Sequence, residues 1–186
     1  MALQFDHAVI AVADLDLAMR EYEEIGFTVI RGGVHANRAT HNALIVFPDE
    51  TYLELLAHTG QRPLPATIDF SVLLAHGAGA VGYALRTDDL AGDAARIEQY
   101  GFKVSQMFPG ERRRLDGTLV QWRLALVDEW FAPFLIEDLT PRAYRIPNDP
   151  AVVTHRNGAE WVGDAAVPVA AQIADFLAQT EQWMQV

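Results

Sequence analysis

Short apolar runs separated by turn residues divide the chain into strand-like and helix-like segments. The opening segment FDHAVIAVADL is rich in Val, Ile and Ala, which favours a strand. Apolar residues from Leu17 to Ile25 then recur at roughly helical spacing, and Gly26 is typical of a helix end. Asp14 or Asp16 could cap this helix. FTVI, HNALIVF and TYLELLA are further strand candidates, so the predicted order is βαβββ.

The same order of segments recurs in the second half of the chain. VGYALRTDDLAGDAARIEQYGFKV repeats the strand, the Asp-Leu turn, the helix and the Gly-Phe pair of the first unit. Tyr83 follows His7, and Gly101 follows Gly26, at nearly the same separation, which indicates duplication. We therefore predict an α+β chain with a first βαβββ module (1–59), a linker with a short helix (60–79), a second βαβββ module (80–146) and a C-terminal strand and helix (147–186) that could be a partial third module.

Composition narrows the class of protein. The chain has 186 residues, is 51% hydrophobic and has no cysteine, which excludes disulfides, thiolate metal ligands and a cysteine nucleophile. Its formal net charge of −11 would repel a phosphate backbone, so nucleic acid is not expected as a partner. No apolar run reaches the roughly 18 residues of a membrane span, and MALQFDHAVI does not look like a signal peptide. We expect a cytoplasmic protein without membrane association.

Several motifs in a fixed order resemble one superfamily. They are FDHAVIAVADL, GF, THNALIVF and YLELLA in the first half, and GYALRTDDL, RRRLDG, QWRLAL, PFLIED and HRNGAEW in the second. The chain resembles the vicinal oxygen chelate superfamily, which includes glyoxalase I, extradiol dioxygenases and bleomycin- or fosfomycin-resistance proteins, and within it the glyoxalase-like domain group. The resemblance implies two modules forming a curved mixed sheet around a shared cavity, a small-molecule ligand and a homodimer.

In the metal-using members of the superfamily, the ligands come from the first and last strands of each module. The resemblance carries these positions over to His7 and Glu54 in the first module, and to Tyr83 and Glu137 in the second. Strand alternation supports the first pair, because Glu54 shares a face with Tyr52 between leucines and is costly to bury unless paired or coordinating. One imidazole and one carboxylate suit Zn, Mn, Fe or Ni.

The second module departs from the metal-binding pattern. Tyr83 stands where a histidine would be expected, and Glu137 falls out of register onto the wrong face. Because catalytic metal sites normally have about three protein ligands, His41 or His35 would have to complete the set. Without a metal, His7 and Glu54 form either a proton-transferring pair or a purely structural one.

Other residues are candidates for substrate binding. Asn42, Tyr52 and Tyr83 would line the cavity that the resemblance implies. The ERRR cluster, which contains Arg114, is either a solvated loop or an anion-binding wall. Arg123 shares a face with Gln121, opposite Trp122 and Leu124, so both are expected to project into the cavity, where a guanidinium would hold a carboxylate or phosphate. The alternative is a salt bridge from Arg123 to an acid such as Glu54 or Glu137.

These residues leave more than one function open. The first hypothesis is a lyase or isomerase of the glyoxalase or dioxygenase type, acting on a small oxygenated, anionic substrate, with His7 and Glu54 as catalytic residues. The second is a non-catalytic protein that binds or sequesters a small molecule, like the resistance proteins. The third is a degenerate module kept for association or regulation.

Overall fold

The computed structural model describes residues 3–65, 70–75, 79–129 and 132–162. The first module comprises β1 (Gln4–Val12), α1 (Leu15–Glu24), β2 (Ile30–Val34), β3 (Thr40–Val46) and β4 (Tyr52–His58). Between the modules lies α2 (Ser71–Leu74). The second module comprises β5 (Gly79–Arg86), α3 (Leu90–Gln99), β6 (Phe108–Arg113), β7 (Leu119–Leu126) and β8 (Phe134–Asp138), followed by α4 (Arg142–Arg145) and α5 (Pro150–Val153). Both modules therefore have the βαβββ order that the repeat predicts.

The two module helices begin and end in the same way. The Asp14 carboxylate accepts a hydrogen bond from the Leu17 N–H at 2.9 Å, and Asp89 caps α3 through the corresponding first-turn N–H. These caps satisfy donors that a helix leaves unpaired at its N-terminus. Gly26 and Gly101 follow the helices with φ of 100° and 91°, a conformation that strongly favours glycine.

One mixed sheet contains all eight strands, in the order β2-β3-β4-β1-β5-β8-β7-β6. In each module, the first strand pairs in parallel with the last, β1 with β4 and β5 with β8. The modules join where β1 pairs antiparallel with β5. This curved mixed sheet with a few helices confirms the predicted α+β fold class.

The two outer strands of the sheet approach each other. His35, just after β2, forms an isolated antiparallel bridge with Arg112 of β6. The Ala36 N–H donates to the Glu111 carbonyl at 2.9 Å. Because both edges meet in this way, the sheet curves almost into a barrel and encloses a space.

The hydrophobic core lies on the outer side of this curve, beneath the helices. Under α1, the apolar residues of β1, β3 and β4 pack together, with Ile10, Leu53 and Leu55 almost fully buried. A smaller cluster around Leu90 and Leu135 lies under α3. Since side chains alternate along a strand, the intervening residues of the same strands face the enclosed space.

The described part of the C-terminal segment lacks the predicted strand. Within 147–162 the structure has α5 and no strand, and the helix predicted further on lies outside the described residues. His155 explains the difference: its Nδ1 accepts from the Thr28 N–H at 3.0 Å, and its Nε2 bonds the Val46 carbonyl at 3.1 Å. These bonds hold the segment against the first module instead of pairing it with a sheet edge. In the described part of the chain, no helix is long and apolar enough to cross a membrane.

Candidate functional site

A cavity of about 630 Å³ lies inside the curve of the sheet, with walls from both modules. Pockets for small molecules typically measure about 300–1,000 Å³. Its polar wall includes His7, Asn42, Glu54 and Arg112, and much of the remaining wall is apolar, including Leu44, Leu56, Phe70, Trp122 and Phe134. A few polar groups converging in a largely apolar cavity are typical of a small-molecule site.

His7 stands on β1 between two carboxylates. Its Nδ1 lies 2.7 Å from Asp6 Oδ2, and its Nε2 lies 3.5 Å from Glu54 Oε2. Successive strand residues normally face opposite sides, but the β1–β5 register shifts between Phe5 and His7, and such an irregularity re-aims side chains. The imidazole, 2% exposed, stacks on the Tyr52 ring with centroids 4.4 Å apart. Its orientation is therefore fixed.

Asp6 is itself fully buried and anchored by two arginines. Arg145 Nη1 donates to Asp6 Oδ2, and Arg142 Nη1 to Asp6 Oδ1, both at 2.7 Å. Burial alone would raise the pKa of Asp6, but Arg145 and His7 hold it well below its ordinary value. Asp6 is therefore a permanent carboxylate that keeps a proton on His7 Nδ1 and directs Nε2 toward Glu54.

Glu54 on β4, 9% exposed, is held by an amide as well as by His7. Asn42 Nδ2 donates to Glu54 Oε1 at 2.6 Å, and His35 Nε2 lies 3.8 Å from the same oxygen. Burial alone would raise the pKa of Glu54, but His7, His35 and Asn42 together lower it to about 2. The carboxylate is therefore charged at neutral pH.

The pKa values of the two imidazoles in the site, His7 and His35, are shifted in opposite directions. Burial alone would lower the pKa of His7, but its contacts with Asp6 and Glu54 outweigh burial and raise that pKa above its ordinary value. Burial dominates at His35 and lowers its pKa, although Glu54 opposes the effect. His7 thus keeps its second proton to a higher pH than an ordinary histidine, and His35 loses its second proton at a lower pH.

Comparison with known proteins agrees with this architecture. The profile of the glyoxalase-like domain family matches residues 5–181. The chain belongs to the glyoxalase-like domain family. Its fold is that of the vicinal oxygen chelate superfamily, which confirms the resemblance seen in the sequence. A search of curated proteins finds no match.

Solved structures share the fold of this glyoxalase-like protein at low identity. A hypothetical protein from Staphylococcus aureus is 21% identical with a TM-score of 0.64, over 77% of this chain and 62% of that one, so this chain spans less than two thirds of its length. Methylmalonyl-CoA epimerase from Mycobacterium tuberculosis is 23% identical (TM-score 0.55), over 75% of this chain and 89% of that one. A variant of the Streptomyces coelicolor epimerase, in complex with 2-nitronate-propionyl-CoA, is 25% identical (TM-score 0.56), over 75% of this chain and 100% of that one.

Five candidate residues from the sequence line the cavity of this glyoxalase-like protein: His7, His35, Asn42, Tyr52 and Glu54. The Tyr52 hydroxyl accepts from Arg145 Nη1 at 2.8 Å. Burial is the main cause that raises the pKa of Tyr52, so its hydroxyl stays neutral. The structure thus brings these side chains together, and their roles in binding or catalysis remain predictions.

Tyr83 and His41 lie outside the described cavity wall. Tyr83 is paired with Ala8, whose side chain faces the α1 side of the sheet, and Tyr83 is 37% exposed there. Its neighbour Gly82 reaches the cavity instead. His41 stands on β3 between Thr40 and Asn42, which both line the cavity, so alternation turns His41 to the other face.

The faces of β7 are the reverse of those expected. Trp122 and Leu124 line the cavity, whereas Gln121 and Arg123 point to the outer side. Arg123 Nε donates to Glu137 Oε2 at 2.8 Å, which matches the salt-bridge alternative and keeps Glu137 out of the cavity as well.

The apolar character of the cavity explains this reversal, because the face of β7 that carries Trp122 and Leu124 packs against the apolar space. Arg114 also lies outside the described wall, where it approaches Asp116 at 3.5 Å. We correct the expected cavity positions of Gln121, Arg123 and Arg114 accordingly.

Three residues of the site were not among the candidates selected from the sequence. Asp6 precedes His7 directly, and that adjacency was a usable signal. Arg112 belongs to the ERRR cluster, but strand alternation alone did not select it over Arg114. Arg145 reaches the site from α4, far along the chain from β1, and no local pattern reveals such a contact.

A catalytic metal would need about three donors around an open position. In the first module, the Glu54 carboxylate lies between His7 and His35 and presents a different oxygen to each ring. In the second module, the positions that reach the cavity include Gly82 and Phe134, which carry no donor. Over the described ranges, no group of three His, Asp or Glu side chains could hold a metal ion. These donors therefore do not fit Zn, Mn, Fe or Ni.

Proposed function

We propose that this glyoxalase-like protein is a lyase or isomerase that transfers a proton within a small oxygenated, anionic substrate. The observation that carries the proposal is the row Asp6–His7–Glu54, in which His7 and Glu54 line the cavity. Asp6 orients a protonated imidazole, and a charged carboxylate faces that imidazole at 3.5 Å. This separation is close for two charges and long for a hydrogen bond, so a substrate oxygen can replace the direct contact.

The two groups have complementary roles toward a carbonyl compound with an adjacent C–H bond. Glu54 takes the proton from carbon, the C–H electrons form a carbon–carbon double bond, and the carbonyl oxygen accepts the proton of His7 Nε2. Return of the proton from Glu54 to the other face of the same carbon, with the oxygen proton returning to His7, completes an epimerisation. Where that carbon carries a hydroxyl, return of the proton to the former carbonyl carbon, with the proton of that hydroxyl passing to His7 as its C–O bond becomes a carbonyl, completes an isomerisation. Expulsion of a leaving group from the intermediate gives the lyase outcome.

The substrate itself would activate Glu54. Burial is the largest influence on the pKa of Glu54 and raises it, and His7 is the main opposing one. When a substrate oxygen displaces Glu54 as the partner of the His7 Nε2 proton, that opposition weakens while burial persists. The pKa of Glu54 then rises from about 2, and the carboxylate becomes a stronger base as the substrate binds.

The neighbours support a proton-transfer reaction of this class. Two of them are methylmalonyl-CoA epimerases, and an epimerase is an isomerase that inverts a stereocentre. We carry over the class of reaction and not the thioester substrate. The homodimer expected from the resemblance stays a prediction.

Solvent exchange tests the proposal directly. The wild-type protein should catalyse incorporation of deuterium from D2O next to the carbonyl of pyruvate or 2-oxobutyrate, followed by proton NMR. Removal of a positioned acid or base typically slows such a reaction about 10²- to 10⁴-fold, and we expect this for His7→Asn and Glu54→Gln. His58→Asn and Glu98→Gln, at exposed positions outside the cavity, are the matched controls.

The competing function is a non-catalytic binding protein. The apolar wall around Trp122, 8% exposed, favours it, because such a wall can hold a ligand without chemistry. A compound that changes tryptophan fluorescence and raises the melting temperature, yet shows no exchange in the wild-type protein, would support binding. Exchange at the wild-type rate in Glu54→Gln would overturn the proton-transfer proposal.

A further inference from the structure

We propose that Arg112 binds the carboxylate group of the substrate. The inference rests on the proposed function only in treating the cavity as the substrate site. Arg112 lies on β6, lines the cavity and is 4% exposed. A guanidinium buried this deeply stays charged, because its pKa is very high even where burial lowers it.

The partners of Arg112 are neutral. Its Nη1 donates to the Gly32 carbonyl at 2.5 Å, and its Nη2 donates to the Arg145 carbonyl at 2.9 Å. Among the described residues, no carboxylate forms a salt bridge with this guanidinium, whereas the nearby Arg145 has both Asp6 and Asp138. A buried cation whose hydrogen bonds within the described part of the chain all go to neutral carbonyls is costly, and an anion that bonds it directly in the cavity would relieve part of that cost.

The other buried charges in and beside the cavity are matched. Glu54 faces the protonated His7, and Asp6 faces Arg145. Arg112 is therefore the buried charge around the described cavity that forms no direct ion pair, and the Glu54 carboxylate favours its charged form only from beyond salt-bridge distance. A single guanidinium without a direct ion pair fits a monoanion such as a carboxylate better than a doubly charged phosphate.

The chemistry of the guanidinium agrees with this ligand. It carries five N–H donors in a planar fork that matches the two oxygens of a carboxylate. The bonds to the two backbone carbonyls use two of these donors, so others remain available for a ligand. β6 lies across the curve from β1 and β4, which carry His7 and Glu54. A substrate held by its carboxylate at Arg112 would thus extend toward the proton-transferring pair.

Calorimetric titration with lactate, lactamide and inorganic phosphate tests the proposal. Lactate and lactamide have similar shapes and differ in charge. The wild-type protein should bind lactate at least tenfold more tightly than lactamide, and more tightly than phosphate. In Arg112→Gln, lactate binding should weaken about 10- to 100-fold, as expected for loss of a charged hydrogen bond, while Arg86→Gln, a control outside the cavity, should leave it unchanged.

A second measurement covers the case in which Arg112→Gln fails to fold, since Arg112 also bonds two carbonyls. In the wild-type protein labelled with ¹⁵N-arginine, the Nε–H resonance that disappears in Arg112→Lys should shift with lactate and not with lactamide. Equal affinity for lactate and lactamide, tighter binding of phosphate, or a lactate-dependent shift only at another arginine such as Arg123 would overturn the assignment.

The two proposals fail in different ways. If lactate shows no preference over lactamide but deuterium exchange still depends on Glu54, the Arg112 site is overturned and the proton-transfer function stands. If lactate binds through Arg112 but no bound carbonyl compound undergoes exchange, the proton-transfer function is overturned and the anion site stands.

Discussion

Replacing His7 with asparagine removes the cation that faces Glu54, while the new amide can still donate to Asp6. The pKa of Glu54 falls from 4.5 to about 2 in the folded protein, which corresponds to about 3 kcal/mol at about 1.4 kcal/mol for each pH unit. His7 is the main cause of that fall. We therefore expect a coupling free energy of about 2–3 kcal/mol between His7→Asn and Glu54→Gln in a double-mutant cycle.

The coupling has a defined pH window. A carboxylate with a lowered pKa, such as Glu54, stabilises the fold above its unfolded pKa of 4.5 and loses that contribution as the pH falls toward its folded pKa. A histidine with a raised pKa stabilises the fold below about 6.5 and loses that contribution as the pH rises through its folded pKa. The coupling should therefore be largest near pH ~5.5 and shrink toward pH ~2 and pH ~9.

Urea denaturation of the four proteins, followed by circular dichroism, measures this coupling. His58→Asn with Glu98→Gln forms the matched cycle between exposed residues and should give a coupling near zero, within about 0.5 kcal/mol. A His7–Glu54 coupling below about 0.5 kcal/mol at pH ~5.5, or one that grows as the pH rises to ~9, would refute the reasoning.

Three further predictions follow from individual contacts. Gly32→Ala should destabilise the fold by about 1–3 kcal/mol in urea denaturation, because a Cβ there overlaps Asn42 Oδ1, and a gain or no change would contradict the packing. His155→Leu should cost about 1–3 kcal/mol through its two lost hydrogen bonds. Since burial lowers the pKa of His155, that difference should narrow below pH ~6.5, and a widening would refute this assignment. Mass spectrometry of metals in the purified protein should find no stoichiometric divalent ion, and one lost in His7→Ala would show that the donor argument is wrong.

The fold could be predicted because its signals are local and repeated. Each module has its own strand pattern, its own aspartate N-cap and its own glycine at the helix end. The second occurrence of the same signals therefore supports the βαβββ assignment made from the first. Asp14 and Gly26 have the roles that their residue types predict. The C-terminal segment could not be predicted in the same way, because His155 is held by bonds to Thr28 and Val46, far away in the sequence.

The candidate site was predictable only where strand alternation has one clear answer. His7 and Glu54 stand in strands whose other face is plainly apolar, so both could be placed toward the cavity. On β7 both faces carry long side chains, so alternation alone does not say which face lines the cavity. Gln121 and Arg123 were expected to point inward, which is the reverse of the observed orientation. The cavity wall is largely apolar, and on β7 it is Trp122 rather than Arg123 that faces the cavity.

The central claim is that His7 carries a proton between two carboxylates, one of which faces the cavity. A pH titration of the ¹⁵N-labelled imidazole by NMR measures the charge of His7 directly. The midpoint at which the ring loses its second proton should lie above the ordinary histidine pKa of 6.5, and it should fall in Glu54→Gln. A neutral His7 ring at pH ~6, or a midpoint that Glu54→Gln does not move, would contradict the account.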